Sequence, residues 1–134
     1  MKASRFVMVL LVVVTVGAIT AGCGGQSAEG VVKADKSSAG NAVGLKVGQT
    51  LEITLEGNPS TGYEWTVAAP TGTTLEEVGK PEFKAQSTLT GAPGTYLFRF
   101  KAKAKGEEEL KFQYKRSWET TPQDETVTFK VSVK

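Results

Sequence analysis

The sequence predicts an all-β fold, an antiparallel β-sandwich of immunoglobulin type. Three observations lead to this prediction. Apolar and polar residues alternate in seven short runs after residue 43, no run there has the period of a helix, and segments rich in glycine, proline and threonine separate several of the runs. Seven short strands within about 90 residues are typical of this sandwich.

Each run has one apolar face, as a strand buried on one side requires. The strongest signal surrounds Phe98, where every second residue from 96 to 104 is apolar, and the weakest lies near Phe83. In chain order the predicted strands occupy residues 45–47, 51–55, 63–67, 83–86, 96–104, 110–114 and 127–133. Residues 69–81 are predicted to connect two strands without a strand of their own, and residues 105–109 to form a solvated turn.

Residues 1–22 are predicted to be an export signal. Lys2 and Arg5 form a basic start, residues 7–19 are apolar but short for a membrane span, and the segment closes on ITAGC. This ending resembles a bacterial lipoprotein signal, which is cut before a cysteine that carries a diacylglyceryl group. The resemblance implies a lipidated Cys23 and attachment of the exported chain to the cell envelope. The alternative is an ordinary signal peptide that leaves a free thiol.

Residues 23–42 are predicted to be the lipidated cysteine and a flexible tether. Glycine, serine, alanine and charged residues dominate this segment, and it has no periodic apolar face. About 20 such residues give a reach of roughly 25 Å. The sandwich domain is predicted to occupy residues 43–134, and we expect it to be a monomer.

The composition argues against catalysis. The chain has no histidine and one cysteine, so it lacks the commonest general base, and no thiolate site remains once Cys23 is modified. Its two aspartates, Asp35 and Asp124, do not lie in acidic calcium-binding loops. Two of the 16 lysines and arginines belong to the signal, and the other 14 balance 14 acidic residues, which gives no electrostatic case for nucleic acid. We expect no enzymatic activity, no metal and no cofactor.

Three loops are predicted to lie at one end of the sandwich. Successive strands run in opposite directions, so the second, fourth and sixth predicted strands end at the same edge. The loops that follow them, 56–62, 87–95 and 116–125, all contain proline, and the first two also contain glycine. Because these residues restrict or tighten the backbone, such loops lose little entropy on docking. The loops are therefore predicted to form a binding edge.

Turn chemistry alone leaves simpler interpretations of these loops open. Residues 57–62 also suit a structural turn, with Pro59 holding φ and Gly62 free to take a positive φ. Residues 91–94 suit a hairpin bend. The turn-forming residues of these two segments do not by themselves indicate that either segment binds a partner.

The aromatic residues near these loops divide by strand parity. Trp65 shares the parity of buried positions and is predicted to be core, whereas Tyr63 suits either rim or core. Trp118 falls beyond the end of its strand and is predicted to be a loop residue. Contact with a partner and packing within the chain are equally compatible with this position.

The loops resemble three motifs of the chagasin-type inhibitors of papain-like cysteine proteases, and the resemblance covers about residues 43–134. The first motif is Asn58-Pro59-Ser60-Thr61-Gly62-Tyr63-Glu64-Trp65, the second is Gly91-Ala92-Pro93-Gly94, and the third is Arg116-Ser117-Trp118. Two positions depart from the family pattern. Ser117 stands where the family has proline, and Pro93 stands where it commonly has glycine.

The resemblance implies a fold of seven to eight strands and a reversible, tight-binding inhibitor that plugs the protease cleft sterically. Residues 58–62 would occlude the catalytic centre, residues 91–95 would lie along one wall, and residues 116–118 would stack against the other. The protease-binding residues implied in this way are Asn58, Pro59, Ser60, Thr61, Gly62, Tyr63, Gly91, Ala92, Pro93, Gly94, Arg116, Ser117 and Trp118. The alternative is a non-inhibitory binding or adhesion module of the cell envelope that uses the same loops.

Overall fold

The computed structural model describes residues 30–68 and 72–134, so the predicted export signal and Cys23 lie outside the described residues. In chain order the strands are β1 (Val31–Asp35), β2 (Ala42–Leu45), β3 (Thr50–Gly57), β4 (Glu64–Val67), β5 (Leu75–Glu77), β6 (Glu82–Ala85), β7 (Gly94–Ala102), β8 (Gly106–Lys115) and β9 (Glu125–Val133). Short 3₁₀ helices occupy Lys36–Ser38 and Pro59–Thr61. Within the described ranges, no helix has the length and apolar character needed to cross a membrane.

The nine strands form two mixed sheets. In the five-stranded sheet β1 pairs with β3, β3 with β7, and β7 with both β5 and β6. The four-stranded sheet has the order β2-β9-β8-β4. The predicted all-β sandwich is confirmed, but β1 with β3 and β2 with β9 are parallel pairs. Parallel neighbours need a crossover connection, and β2 supplies one between β1 and β3 because it lies in the other sheet.

The first strand lies inside the segment predicted to be a tether. β1 pairs with β3 along its whole length, from Val31 opposite Thr50 to Asp35 opposite Thr54, and Ala34 is buried in the core. The tether prediction is therefore contradicted over residues 31–42. Only one of the five residues of this edge strand is fully buried, so the sequence shows no alternating apolar face there.

A second short strand lies in the connection 69–81, for which the sequence predicts none. β5 has three residues and buries only Leu75, which is too few positions for alternation to be visible. The backbone N–H of Leu75 donates to the carboxylate of Glu108 at 3.0 Å. Glu108 lies in β8 and not in a solvated turn, because β8 already begins at Gly106. The predicted turn at 105–109 is thus too long.

The core between the sheets is built around four buried phenylalanines. The ring of Phe112 on β8 lies edge-on to its three neighbours, with centroids 4.8 Å from Phe98, 6.1 Å from Phe100 and 5.7 Å from Phe129. Edge-to-face contacts of this kind add to the free energy that burial of apolar surface contributes. This packing fixes the strands from whose ends the three loops emerge.

Candidate functional site, a three-loop edge

The three loops meet at one end of the sandwich, as the strand directions predict. Gly94, at the start of β7, lies opposite Gly57 at the end of β3 and opposite Ala85 at the end of β6. In the other sheet, Glu64 at the start of β4 lies opposite Lys115 at the end of β8. We call residues 58–62 the first loop, 86–93 the second loop and 116–124 the third loop, and their common surface the loop edge.

The first loop is a single capped turn, the 3₁₀ helix Pro59–Thr61. Asn58 is its N-cap, because its side-chain oxygen accepts hydrogen bonds from the backbone N–H of Ser60 at 3.1 Å and from the Ser60 hydroxyl at 2.6 Å. Pro59 follows at the first helical position, where no N–H is needed. Gly62 ends the turn with φ of 82°, a left-handed conformation that favours glycine. This segment therefore contains the residues that shape it.

Asn58 also ties the first loop to its surroundings. Its backbone N–H donates to the Tyr114 hydroxyl at 2.9 Å, and its side-chain Nδ2 donates to the carbonyl of Gly91 in the second loop at 3.0 Å. Its own carbonyl accepts from the Thr61 hydroxyl at 2.6 Å. Every polar group of Asn58 has a partner, so the first loop is held both to β8 and to the second loop.

Arg116 connects the third loop to the first. Its Nε donates to the Thr61 carbonyl at 3.0 Å, and its guanidinium carbon lies 4.8 Å from the centre of the Tyr63 ring. The guanidinium also pairs with Glu119, and this hydrogen bond raises the pKa of Arg116 above its ordinary high value. The side chain therefore remains charged while it holds the two loops together.

Trp118 is exposed and rests on the end of the first loop. The exposed fraction of this residue is 69%. A Cβ atom added to Gly62 would lie 2.5 Å from Cη2 of the indole and 2.9 Å from Cζ2, so the missing side chain makes room for the ring. The predicted loop position of Trp118 is confirmed. An exposed indole that is supported from below is typical of an interface anchor.

The second loop is more exposed and less connected. Its internal hydrogen bonds include those from the Gln86 N–H to the Pro93 carbonyl at 2.9 Å and from the Ala92 N–H to the Leu89 carbonyl at 3.2 Å. Residues 86–91 are all exposed, and 76% of Leu89 is accessible to solvent. Among the described residues, the hydrogen bond from Asn58 is the only one that joins this loop to the other two.

Two of the predicted contact residues lie below the surface. Tyr63 is buried, and its hydroxyl contacts Thr121 and, at 3.2 Å, Gln123 in the third loop. Gly94 is buried in β7, where a Cβ atom would lie 2.5 Å from the Phe83 ring. These two residues support the loops from within. Of the others, Ser60, Thr61, Gly91, Pro93, Ser117 and Trp118 are exposed, and Asn58, Pro59, Gly62, Ala92 and Arg116 are half-buried.

Sequence reasoning missed two residues of the loop edge. Leu89 is the one large apolar residue in the segment STLTGAPGT, and this contrast is a signal that could have identified it. Tyr114 reads as an ordinary strand residue. Its partner Asn58 is 56 positions away in the chain, so no local pattern indicates the hydrogen bond between them.

The loop edge can bind a partner through its shape and through apolar contacts. The first loop presents the small polar side chains of Ser60 and Thr61, while Leu89 and Trp118 are exposed on the second and third loops. In the part of the chain that the structure describes, no group of three or more acidic, cysteine or histidine residues is placed to hold a metal ion. Such an edge is suited to binding a concave surface by steric fit.

Two solved structures share this fold. The cysteine protease inhibitor EhICP2 from Entamoeba histolytica matches with a TM-score of 0.67 at 20% identity, over 80% of this chain and 98% of that one. PbICP-C, solved in complex with falcipain-2, matches with a TM-score of 0.51 at 23% identity, over 79% of this chain and 89% of that one. At these identities the likeness concerns the fold alone.

Sequence comparison identifies the family. The chain is 33% identical to chagasin of Trypanosoma cruzi over 106 residues, which cover 76% of this chain and 96% of chagasin. Residues 44–133 match the family model described as chagasin family peptidase inhibitor I42. The members of this family are protease inhibitors and not enzymes, in agreement with the prediction from composition. The chain belongs to the chagasin family of peptidase inhibitors.

Proposed function

We propose that this chain is a reversible, tight-binding inhibitor of papain-like cysteine proteases that fills the active-site cleft with its three loops. Membership of the family supports the inhibitory function in general. The observation that carries the three-loop mechanism is the connection between the loops. Asn58 binds the second loop and Arg116 binds the first, so the loops that bear the family motifs act as one surface.

The first loop would enter deepest and block the catalytic centre. Its turn is closed by hydrogen bonds from the Thr61 and Gly62 N–H groups to the Asn58 and Pro59 carbonyls. A backbone folded on itself in this way does not offer the extended segment that a protease binds for cleavage. We therefore expect exclusion of substrate without a covalent bond.

The second and third loops would contact the two walls of the cleft. Leu89 and Trp118 are the exposed large apolar side chains of these loops. Burial of such side chains on docking supplies most of the binding free energy in interfaces of this kind. Because the first and third loops are already hydrogen-bonded to each other, less conformational entropy is lost on binding.

A titration of papain tests this proposal. The chain from residue 24 onward should inhibit cleavage of a fluorogenic peptide at sub-micromolar concentration, and dilution should restore activity. The double variant Leu89→Ala with Trp118→Ala should lose most of the inhibition. Val47→Ala is the matched control, because it shortens an exposed apolar side chain next to the β9 end farthest from the loops.

Full papain activity at micromolar inhibitor, repeated with other papain-like proteases, would contradict the proposal. Binding of a partner that is no protease, lost in the Trp118→Ala variant, would then favour the envelope-binding alternative.

We also propose that Cys23 is lipidated and holds the inhibitor at the bacterial cell envelope. The ending ITAGC supports this. Because β1 begins at Val31, the tether would consist of residues 24–30, which have a reach of roughly 15 Å. The start of β1 lies beside the start of β3, and β3 ends at the loop edge, so the loop edge would face away from the membrane.

Mass spectrometry of the mature N-terminal peptide tests the lipid. We expect the mass of a diacylglyceryl group on Cys23, and a Cys23→Ser variant that leaves the membrane fraction. An unmodified thiol in the purified mature chain would contradict this proposal and leave the proposed inhibition unaffected.

A further inference from the structure

We propose that an aromatic clamp across the sandwich sets the position of the first loop, and that the Tyr114 hydroxyl is its decisive contact. The clamp consists of Trp65 on β4 and Tyr114 on β8, which hold the end of β3 in the opposite sheet. Tyr114 is thus a positioning residue for the proposed inhibition, on which this inference rests. It acts through Asn58 and not by touching the protease.

Two hydrogen bonds form the clamp. Trp65 Nε1 donates to the Glu56 carbonyl at 2.8 Å, and the Asn58 N–H donates to the Tyr114 hydroxyl at 2.9 Å. Glu56 and Asn58 flank Gly57, the last residue of β3. The chain is therefore held by the opposite sheet on both sides of the point where the first loop begins.

The rings of the clamp are held by stacking. The Tyr114 ring contacts two other rings, Trp65, stacked at a centroid distance of 5.0 Å, and Tyr63, tilted at 5.2 Å. The Arg116 guanidinium lies over the Tyr63 ring. A hydroxyl on a ring that packs against two other rings has a defined position, so its acceptor oxygen sets the position of Asn58.

Gly57 shows how closely the clamp closes. A Cβ atom at this residue would lie 3.0 Å from Cε2 of Tyr114, 3.0 Å from Cε2 of Tyr96 and 3.3 Å from Cδ1 of Trp65. Gly57 is not among the glycines with positive φ. Glycine therefore suits this position because the rings approach closely, and a side chain here would require the rings or the backbone to shift by a few tenths of an ångström.

Tyr96 provides a matched control for Tyr114. Its ring contacts Gly57 at the same distance and is likewise packed under the loop edge. Its hydroxyl, however, has no hydrogen-bond partner among the described residues. Removal of the Tyr114 hydroxyl deletes a contact of the first loop, whereas removal of the Tyr96 hydroxyl deletes none.

The first measurement uses no protease. We compare amide hydrogen exchange at Asn58 in the full chain and in the variants Tyr114→Phe and Tyr96→Phe. Loss of the acceptor should speed exchange at Asn58 about tenfold in Tyr114→Phe and leave it unchanged in Tyr96→Phe. Equal exchange rates in the two variants, whether both fast or both slow, would overturn the clamp.

The second measurement uses papain as the probe. Tyr114→Phe should dissociate about tenfold faster with little change in the association rate, whereas Tyr96→Phe should match the original chain. Gly57→Ala should also dissociate faster. Unaltered dissociation in Tyr114→Phe would overturn the positioning role. If the original chain does not bind papain, the proposed function fails, and the exchange measurement still decides whether the clamp exists.

Discussion

The first and second loops lie side by side at the loop edge, yet they are held very differently. The first loop is capped at both ends. Asn58 donates hydrogen bonds to β8 and to the second loop, and the Thr61 carbonyl accepts one from the third loop. The second loop relies on a few internal hydrogen bonds and on the one from Asn58, and most of it is exposed.

This difference indicates how one binding edge can combine a preformed part with an adjustable part. A loop that is ordered before binding loses little entropy in the complex. A loop with few contacts opens at a lower free energy and can adapt to its partner. We expect the first loop to supply affinity for all target proteases and the second loop to adjust that affinity from one protease to another.

The largest effect is expected from a side chain at the end of the first loop. Gly62→Ala places a Cβ in a left-handed residue and 2.5 Å from Trp118. The strain costs about 1–2 kcal/mol, and displacement of an interface tryptophan costs more than about 1 kcal/mol. The inhibition constant for papain should rise about 100-fold.

The matched variant for this prediction is Gly91→Ala in the second loop. Gly91 has a similar φ of 79°, but the atom nearest to an added Cβ is Ser60 Oγ at 3.7 Å. Gly91→Ala therefore adds only backbone strain, and the second loop can relax this strain because it has few contacts. The inhibition constant should rise less than about tenfold. Equal losses in the two variants would contradict the contrast between the loops.

The next largest effect is expected at the contact between the two loops. Asn58→Ala removes the N-cap and the hydrogen bond to Gly91, each of which contributes about 1 kcal/mol. The inhibition constant should rise about 30-fold. Asn58→Asp keeps the cap but not the Nδ2 donor, so its loss should be intermediate. An inhibition constant for Asn58→Ala within threefold of the original would refute this role of Asn58.

A smaller effect is expected at the tip of the second loop. Leu89→Ala removes apolar area that is buried only in the complex, and it should weaken inhibition about fivefold without lowering the melting temperature. The factor should differ between proteases, which inhibition assays on three of them would measure. A uniform factor for all three would count against an adjustable second loop.

The smallest effect concerns Tyr96, which lies beneath both loops. Burial, followed by the charges of Glu64 and Tyr114, raises the pKa of the Tyr96 phenol from 10.0 to about 12. The folded state therefore holds this proton more tightly than the unfolded state, so the free energy of unfolding is unaffected below pH 10 and falls between pH 10 and 12. Urea unfolding at pH 8 and pH 11 should show a loss about 1 kcal/mol larger in the original chain than in Tyr96→Phe. Equal losses would contradict the raised pKa.

Many strands and the turn of the first loop could be predicted because residues close together in the sequence determine them. Alternation over five or more residues shows which strands bury one face, and it located five of the nine strands in the described residues. The shorter predicted strand at 83–86 overlaps β6, whereas the one at 45–47 shares only Leu45 with β2. Strand direction then placed the three loops at one end. Pro59 and Gly62 predicted a turn in the first loop, and the structure has one there with Gly62 at a positive φ. The N-cap formed by Asn58 was not predicted.

Only the tertiary structure decided how the loops are joined. β1 and β5 carry too few buried residues for a pattern, and they become strands because β3 and β7 offer them unpaired edges. The contacts of Asn58 with Tyr114, of Arg116 with Thr61 and of Trp118 with Gly62 each connect residues 55 or more positions apart. Partners at that separation leave no periodicity in the chain. Their pairing is set by the packing of two sheets, which determines the distances across the sandwich.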